Sequence, residues 1–244
     1  MSNSLPEYKR SVILDKAPQN TIFVAEVGAY AHDLVTEYSD HDFGGLFVIP
    51  LKKYLSVEGY GRDTIDSSSP DSLYDYYYHD VSKFVKLACK GNPSALSLLW
   101  TPLVCYSTQW SDSLRSIRTA FLSKRILDAY FGYYNAQKAR LNSGKLVHTS
   151  GGRYTAQYGA HMMRLMFAAY HVAQTSEVLV RLTGSIQNEV KSCKLGEMSK
   201  EQVLSRCEEL QKKASEAESK TKLPDLPDYN SINSWLYEVR QAFP

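Results

Sequence analysis

Apolar residues fill nearly every position of "NTIFVAEVGAY" (Asn20–Tyr30), the pattern of a strand buried on both faces that runs into a small-residue turn. "DFGGLFVIPL" predicts a second strand, closed by Pro50. The polar stretch "GYGRDTIDSSSPDS" predicts a loop. "LYDYYYHDV" alternates and is rich in aromatics, so it predicts a strand. In "DVSKFVKLACKG" the apolar residues Val81, Phe84, Val85 and Ala88 fall at helical spacing, and Gly91 stands where a helix would end on glycine.

From "PSALSLLW" onward the pattern is helical. "SDSLRSIRTAFLSKRILDAYFGYYNAQKARL" predicts one or two helices, "SGKLVHTSGGRY" a break, and Thr155–Leu182 one long helix with an apolar face. "SKEQVLSRCEELQKKASEAESKTK" opens with a capping box from Ser199 to Gln202, and its charge predicts a largely solvated helix. "LPDLPDY" reads as a linker and "SINSWLYEVRQAF" as a final short helix whose "SWL" packs in the core. No internal repeat is visible. The expected plan is α+β: a small mixed sheet with helices over residues 1–102, then a helical unit over 103–244.

Composition narrows this only slightly. The chain has 244 residues, 43% of them hydrophobic, which is enough for a real core. A formal net charge of +2 argues against tight non-specific binding to nucleic acid and leaves room for a local basic groove. Tyrosine is frequent, at 18, and suits both ligand stacking and half-buried surfaces. Cys89, Cys105, Cys193 and Cys207 form no C-x-x-C pair, so free thiols in a reducing compartment are expected. The first twenty residues have no apolar signal core, and no stretch reaches the ~20 apolar residues of a membrane span. A cytoplasmic location is the expectation, with a mitochondrial one left open.

The candidate chemistry starts at "EYSDHDFGGLFVIP" (Glu37–Pro50). Residues i and i+2 of a strand share a face, so Asp40 and Asp42 would present two carboxylates to one side. Carboxylates weaken a strand unless they have work to do, and a hard divalent cation such as Mg²⁺ takes such oxygens together with substrate phosphates. Two metals ~3.5–4 Å apart can clamp the attacking and leaving oxygens of nucleotidyl transfer. An ordinary Asp-Gly turn explains the same residues, and on D-x-D alone it is the better reading. Upstream, Gly28 ends the first strand about a dozen positions before Asp40. There a glycine lets the backbone approach a phosphate, and a following helix start would offer N–H groups.

Strand, small-residue turn, helix, then strand with D-x-D resembles the polymerase-beta-like nucleotidyltransferase superfamily. More narrowly, the chain resembles the nucleotidyltransferases found beside RNA ligases and assigned to RNA repair. Glu26, Gly28, Leu34, Ser39, Asp40, Asp42, Gly45 and Val48 fall in register with that family's first block without a gap. Asp75, Lys83, Phe84, Gly91, Asn92 and Pro93 match a second block, and His161, Arg164 and Leu165 a third. A weaker match, L-G-E-x-S, stands at Leu195–Ser199. The likeness runs from about Thr21 to Trp235.

The resemblance implies a polymerase-beta-like fold and transfer of a nucleoside monophosphate from an NTP to a hydroxyl, with Mg²⁺ or Mn²⁺ as cofactor. RNA and RNA-processing proteins are the implied partners, and no membrane is. Asp40 and Asp42 would bind metal, and Asp75 would be the third metal ligand and help deprotonate the acceptor. Gly28, Ala29, Ser39, His161 and Arg164 would contact the nucleotide, in a cleft between the two units. Along "YDYYYHD", Asp75, Tyr77 and His79 share one face, which makes Asp75 facing the D-x-D reasonable; an edge-strand charge is the alternative.

Four positions depart from the family. Ala29 replaces a phosphate-binding serine, whose hydrogen bond to a charged group is worth about 1.5–3 kcal/mol. His32-Asp33 replaces Tyr-Gly, and Gln157 replaces a lysine. These leave a second reading open: a catalytically impaired member serving as a binding or scaffold subunit. The pairs His32-Asp33, His41-Asp42 and His79-Asp80 raise a rival, the HD-type phosphohydrolases, but their strand context and tight spacing argue against it. Lys83, Lys86 and Lys90 read as a solvated face.

Overall fold

A computed structural model describes residues 13–37, 39–67, 74–143 and 153–244. By backbone contacts the chain divides into two compact units. The first comprises residues 1–89, 94–121 and 227–244, and the second residues 90–93 and 122–226. The first unit thus includes a strand, a helix and the last helix of the chain, all beyond residue 102.

The first unit is built on a mixed five-stranded sheet. Its strands are β1 (Thr21–Glu26), β2 (His41–Phe47), β3 (Thr64–Asp66), β4 (Tyr74–Asp80) and β5 (Val104–Ser107), in the order β3-β4-β2-β1-β5. β2 runs parallel to β4, and the other neighbouring pairs are antiparallel. The three strands expected from the sequence form the centre. Two short strands were not expected: β3 lies within the stretch read as loop, and β5 within the stretch read as helical. β3 covers the outer side of β4 from Tyr77 to His79, and Asp75 lies beyond that pairing.

Alternation along β2 and β4 sorts the side chains cleanly. One face carries Phe43, Phe47 and Tyr78, which join Ile13, Val24, Ile49 and Cys105 in a buried apolar cluster. The other carries Asp42 and Gly44 opposite Asp75 and Tyr77.

Short helices follow the strands: α1 (Gly28–Ala31), α2 (Leu51–Tyr54, entered through Pro50), α3 (Val81–Cys89), α4 (Pro93–Trp100) and α5 (Gln109–Ser116). A 3₁₀ turn, Arg118–Phe121, follows α5. Asp80 ends β4 and starts α3, accepting from the amides of Ser82 (2.9 Å) and Ile49 (3.1 Å). The Arg240 guanidinium, from the chain's last helix α10 (Tyr229–Ala242), pairs with the same carboxylate, donates to Ser82 Oγ (2.7 Å) and Ile49 O (2.7 Å), and stacks over Tyr54. Trp235 is buried, as expected of "SWL", with its indole N–H donating to Trp110 O (3.1 Å).

The second unit is helical: α6 (Arg125–Ser143), α7 (Arg153–Thr175), α8 (Gly184–Lys194) and α9 (Lys200–Glu218). α7 packs against the other three, burying Met162, Met163, Leu165, Met166 and Val172. It ends at Thr175, earlier than the expected Leu182. The Thr175 hydroxyl turns back to His171 O (2.8 Å), and Ser176 takes a left-handed φ of 57°. Val178, Val180 and Leu182 are then buried alternately in an extended run. α9 opens with the expected capping box between Ser199 and Gln202. Helix α8 was not expected. Of the expected break before α7, residues 144–152 lie outside the described residues. All four cysteines are buried, and none is in a disulfide. No helix among the described residues is long and apolar enough to cross a membrane.

Candidate active site

β1, β2 and β4 place the site residues of the first unit. Asp42 and Asp75 are Cα partners in the parallel ladder, so their side chains stand on the same face of adjacent strands, roughly 4.8 Å apart at the backbone. Like charges held side by side are costly unless a cation or a donor compensates them. Asp75 is exposed and accepts from the Ser67 hydroxyl (3.2 Å). Asp42 is half-buried and Asp40 exposed. Asp40 lies one residue ahead of β2, outside the strand. Among the described residues no three His, Cys, Asp or Glu side chains gather closely enough to hold a metal ion. The carboxylates therefore stand as a ladder pair with an exposed third nearby in sequence.

Gly28 has φ +62°, and a Cβ placed on it would lie 1.9 Å from Asp42 Oδ2. The turn after β1 thus lays bare backbone against the carboxylate. The Val27 amide, which donates to Asp42 O (2.8 Å), fixes that approach. The expected helix after Gly28 is the single turn α1. Its internal bonds begin at the amides of Ala31 and His32, leaving those of Gly28 and Ala29 to other partners. Asp33, where the family has glycine, has φ 59°. The Ser39 hydroxyl serves the loop itself, accepting from the Thr36 amide (2.9 Å).

Two features of this site went unassigned in the sequence. Tyr77 shares the face of Asp42 and Asp75, and its ring lies across Gly44, where a Cβ would come within 2.8 Å of the hydroxyl oxygen. Burial, and then the charge of Asp42, push its phenol above the ordinary value, so it stays a neutral donor. On the opposite face Glu26 is buried (3% exposed), and His41 Nδ1 donates to its Oε1 at 2.5 Å. Tyr30 of α1 stacks on His41 with ring centres 4.0 Å apart. The signal for His41 was its position between the two aspartates. Of the other His-Asp pairs, His79 Nδ1 lies 3.0 Å from the Thr64 hydroxyl and Asp80 belongs to the Arg240 cluster. Lys83 pairs with Asp63 at 3.5 Å.

In the second unit His161 and Arg164 lie one turn apart on α7, with Arg164 Nη2 3.2 Å from His161 Nδ1. The guanidinium can only donate, so Nδ1 accepts and the imidazole is neutral. Burial, then Arg164 and Arg140, hold His161 down to about 3. Burial lowers Arg164 as well, with Tyr130 beside it as the opposing influence. The Tyr130 phenol is in turn pushed up to about 12 by burial. Gly91, Asn92 and Pro93 belong to this unit. Gly91 has φ 72°, its α-carbon lies against the backbone of Arg125 and Ile126, and Asn92 Nδ2 donates to Tyr133 Oη (2.7 Å).

A search of curated proteins found no match to the chain. The family model RlaP, described as the RNA repair pathway DNA polymerase beta family, matches residues 7–238. With nearly the whole chain matched, the protein belongs to the RNA repair pathway DNA polymerase beta family.

Proposed function

We propose that the protein transfers a nucleoside monophosphate from an NTP to a hydroxyl acceptor, an RNA end, with a divalent cation held by the Asp42 and Asp75 carboxylates together with the substrate's phosphates. The observation that carries this reading is the Asp42–Asp75 ladder pair beside the Cβ-less backbone of Gly28. The donor set suits Mg²⁺ or Mn²⁺: hard carboxylate oxygens, few in number, with space left for phosphate oxygens. When bound, such a cation neutralises charge on the triphosphate and on the attacking and leaving oxygens.

The chain's own residues then have distinct tasks. Gly28 and Ala29 offer backbone amides to the triphosphate, and any side chain at Gly28 would occupy the place of the Asp42 carboxylate. Asp75, oriented by Ser67, takes the proton of the acceptor hydroxyl. That oxygen forms a bond to the α-phosphorus, the bond from the α-phosphorus to its bridging oxygen breaks, and pyrophosphate leaves. In the second unit the Arg164 guanidinium and the neutral His161 make a pair suited to phosphate.

A second reading, a nucleotide-binding or scaffold subunit without turnover, is favoured by Ala29, which brings no hydroxyl to the phosphate turn. Label transfer separates the two. The protein is incubated with each of four α-labelled NTPs, Mg²⁺ or Mn²⁺ and mixed small RNAs, beside an Asp40→Asn, Asp42→Asn double variant. Label incorporated by the wild type and lost in the variant supports the enzyme. No incorporation, with no NTP binding by calorimetry, contradicts it.

A further inference from the structure

On the side of the sheet away from the carboxylates, three residues from the three segments that build the site meet at one point. Glu26 is the last residue of β1, Tyr30 lies in α1, and His41 stands between Asp40 and Asp42 at the start of β2. The His41 imidazole donates to the buried Glu26 carboxylate at 2.5 Å. The Tyr30 ring lies against its face, 4.0 Å between centres and 18° from parallel. Phe43 and Tyr74 continue the aromatic set at 6.4 and 6.2 Å.

Because neighbours on a strand point to opposite faces, anchoring the His41 side chain on one face holds the stretch of backbone from which Asp42 projects on the other. The stack ties α1, which begins with Gly28, to the same ring. The Glu26 backbone is itself fixed by the segment ahead of β5: its carbonyl accepts from the Thr101 hydroxyl (3.0 Å) and its amide donates to Leu103 O (2.9 Å).

We propose that Glu26, His41 and Tyr30 are positioning residues that set the glycine turn and the aspartate strand in register, so that the metal-binding carboxylate and the phosphate turn are placed as one body. This rests on the metal reading of Asp42 above. The residues touch neither nucleotide nor metal; they act through the backbone of β2 and α1.

The test is Mn²⁺ affinity without nucleotide, measured by electron paramagnetic resonance on the full chain, with a thermal melt of each variant. His41→Ala leaves the fold in place and weakens Mn²⁺ binding about tenfold, the lower end of what outer-shell changes cost. His41→Asn, whose amide nitrogen stands where Nδ1 does, recovers part of that loss. Ser82→Ala, which removes an acceptor of Arg240 away from this cluster, lowers the melting temperature and leaves Mn²⁺ affinity at the wild-type value. Should His41→Ala not fold, Tyr30→Leu, which removes only the stack, carries the same prediction. Folded His41 or Tyr30 variants that bind Mn²⁺ as the wild type does would overturn the positioning role alone. A wild-type protein that binds no Mn²⁺ would overturn the metal reading and this inference with it.

Discussion

The Asp42 carboxylate occupies the place where a side chain on Gly28 would begin, 1.9 Å from an ideal Cβ. Glycine is required there twice over, by that contact and by a φ of +62°. Gly28→Ala is expected to cost about 1–2 kcal/mol of stability from the left-handed backbone. Its effect on function is expected to be larger, because Asp42 must swing aside, and a displacement of ~1 Å can cost 10²-fold in rate. A melt beside a transfer assay checks the asymmetry: a shift of a few degrees with a loss of ~100-fold in label transfer.

The Asp80–Arg240 pair is the buried clamp of the first unit, with Asp80 1% and Arg240 6% exposed. Arg240→Ala strands a buried carboxylate and is expected to cost about 3–5 kcal/mol. The chain's three tryptophans, Trp100, Trp110 and Trp235, all lie in the first unit. Urea unfolding followed by tryptophan fluorescence therefore reads this loss directly.

Within the second unit Gly159 lets α7 approach α8 and α9 closely; a Cβ there would sit 2.8 Å from Val203 Cγ1 and 2.9 Å from Cys193 Sγ. Gly159→Ala overpacks this contact and is expected to cost about 1–3 kcal/mol. Faster amide hydrogen exchange along α7 is the expected sign.

His161 is held neutral in the fold, down to about 3, by burial first and Arg164 second. Its unfolded value is the ordinary ~6.5. Between these values the unfolded chain binds the extra proton, so this group's contribution is present above ~6.5 and is lost as pH falls toward 3. In nitrogen-resolved NMR, His161 should remain unprotonated at Nδ1 through pH 5. Arg164→Leu should move its titration upward, and stability should then fall less steeply with acid.

The central strands were legible because burial and strict alternation leave strong patterns. "YDYYYHD" put Asp75, Tyr77 and His79 on one face, but it was the family register, not the alternation, that pointed this face at Asp42. The Asp40–Asp42 pair expected within one strand is not formed, because Asp40 precedes β2. β3 and β5 were not legible. Each is three or four residues long at a sheet edge, and its extended state depends on hydrogen bonds to a neighbour far along the chain. The end of α7 was hidden because Val178, Val180 and Leu182 continue the apolar run, while the stop depends on the Thr175 hydroxyl and the backbone of Ser176. Glu26 was visible as a motif residue, but its bond to His41 arises only once β1 and β2 pair. The block Gly91–Pro93 carried a family signal, and Gly91 packs against the start of α6.

The most direct test is the rate of label transfer from an α-labelled NTP to an RNA end by the wild type, Asp42→Asn and Asp75→Asn. The ladder pair predicts that either single change lowers the rate by ~100-fold or more, as losing a charge-stabilising group does, with the melt unchanged. Transfer by Asp75→Asn at the wild-type rate, or none by the wild type, would contradict it.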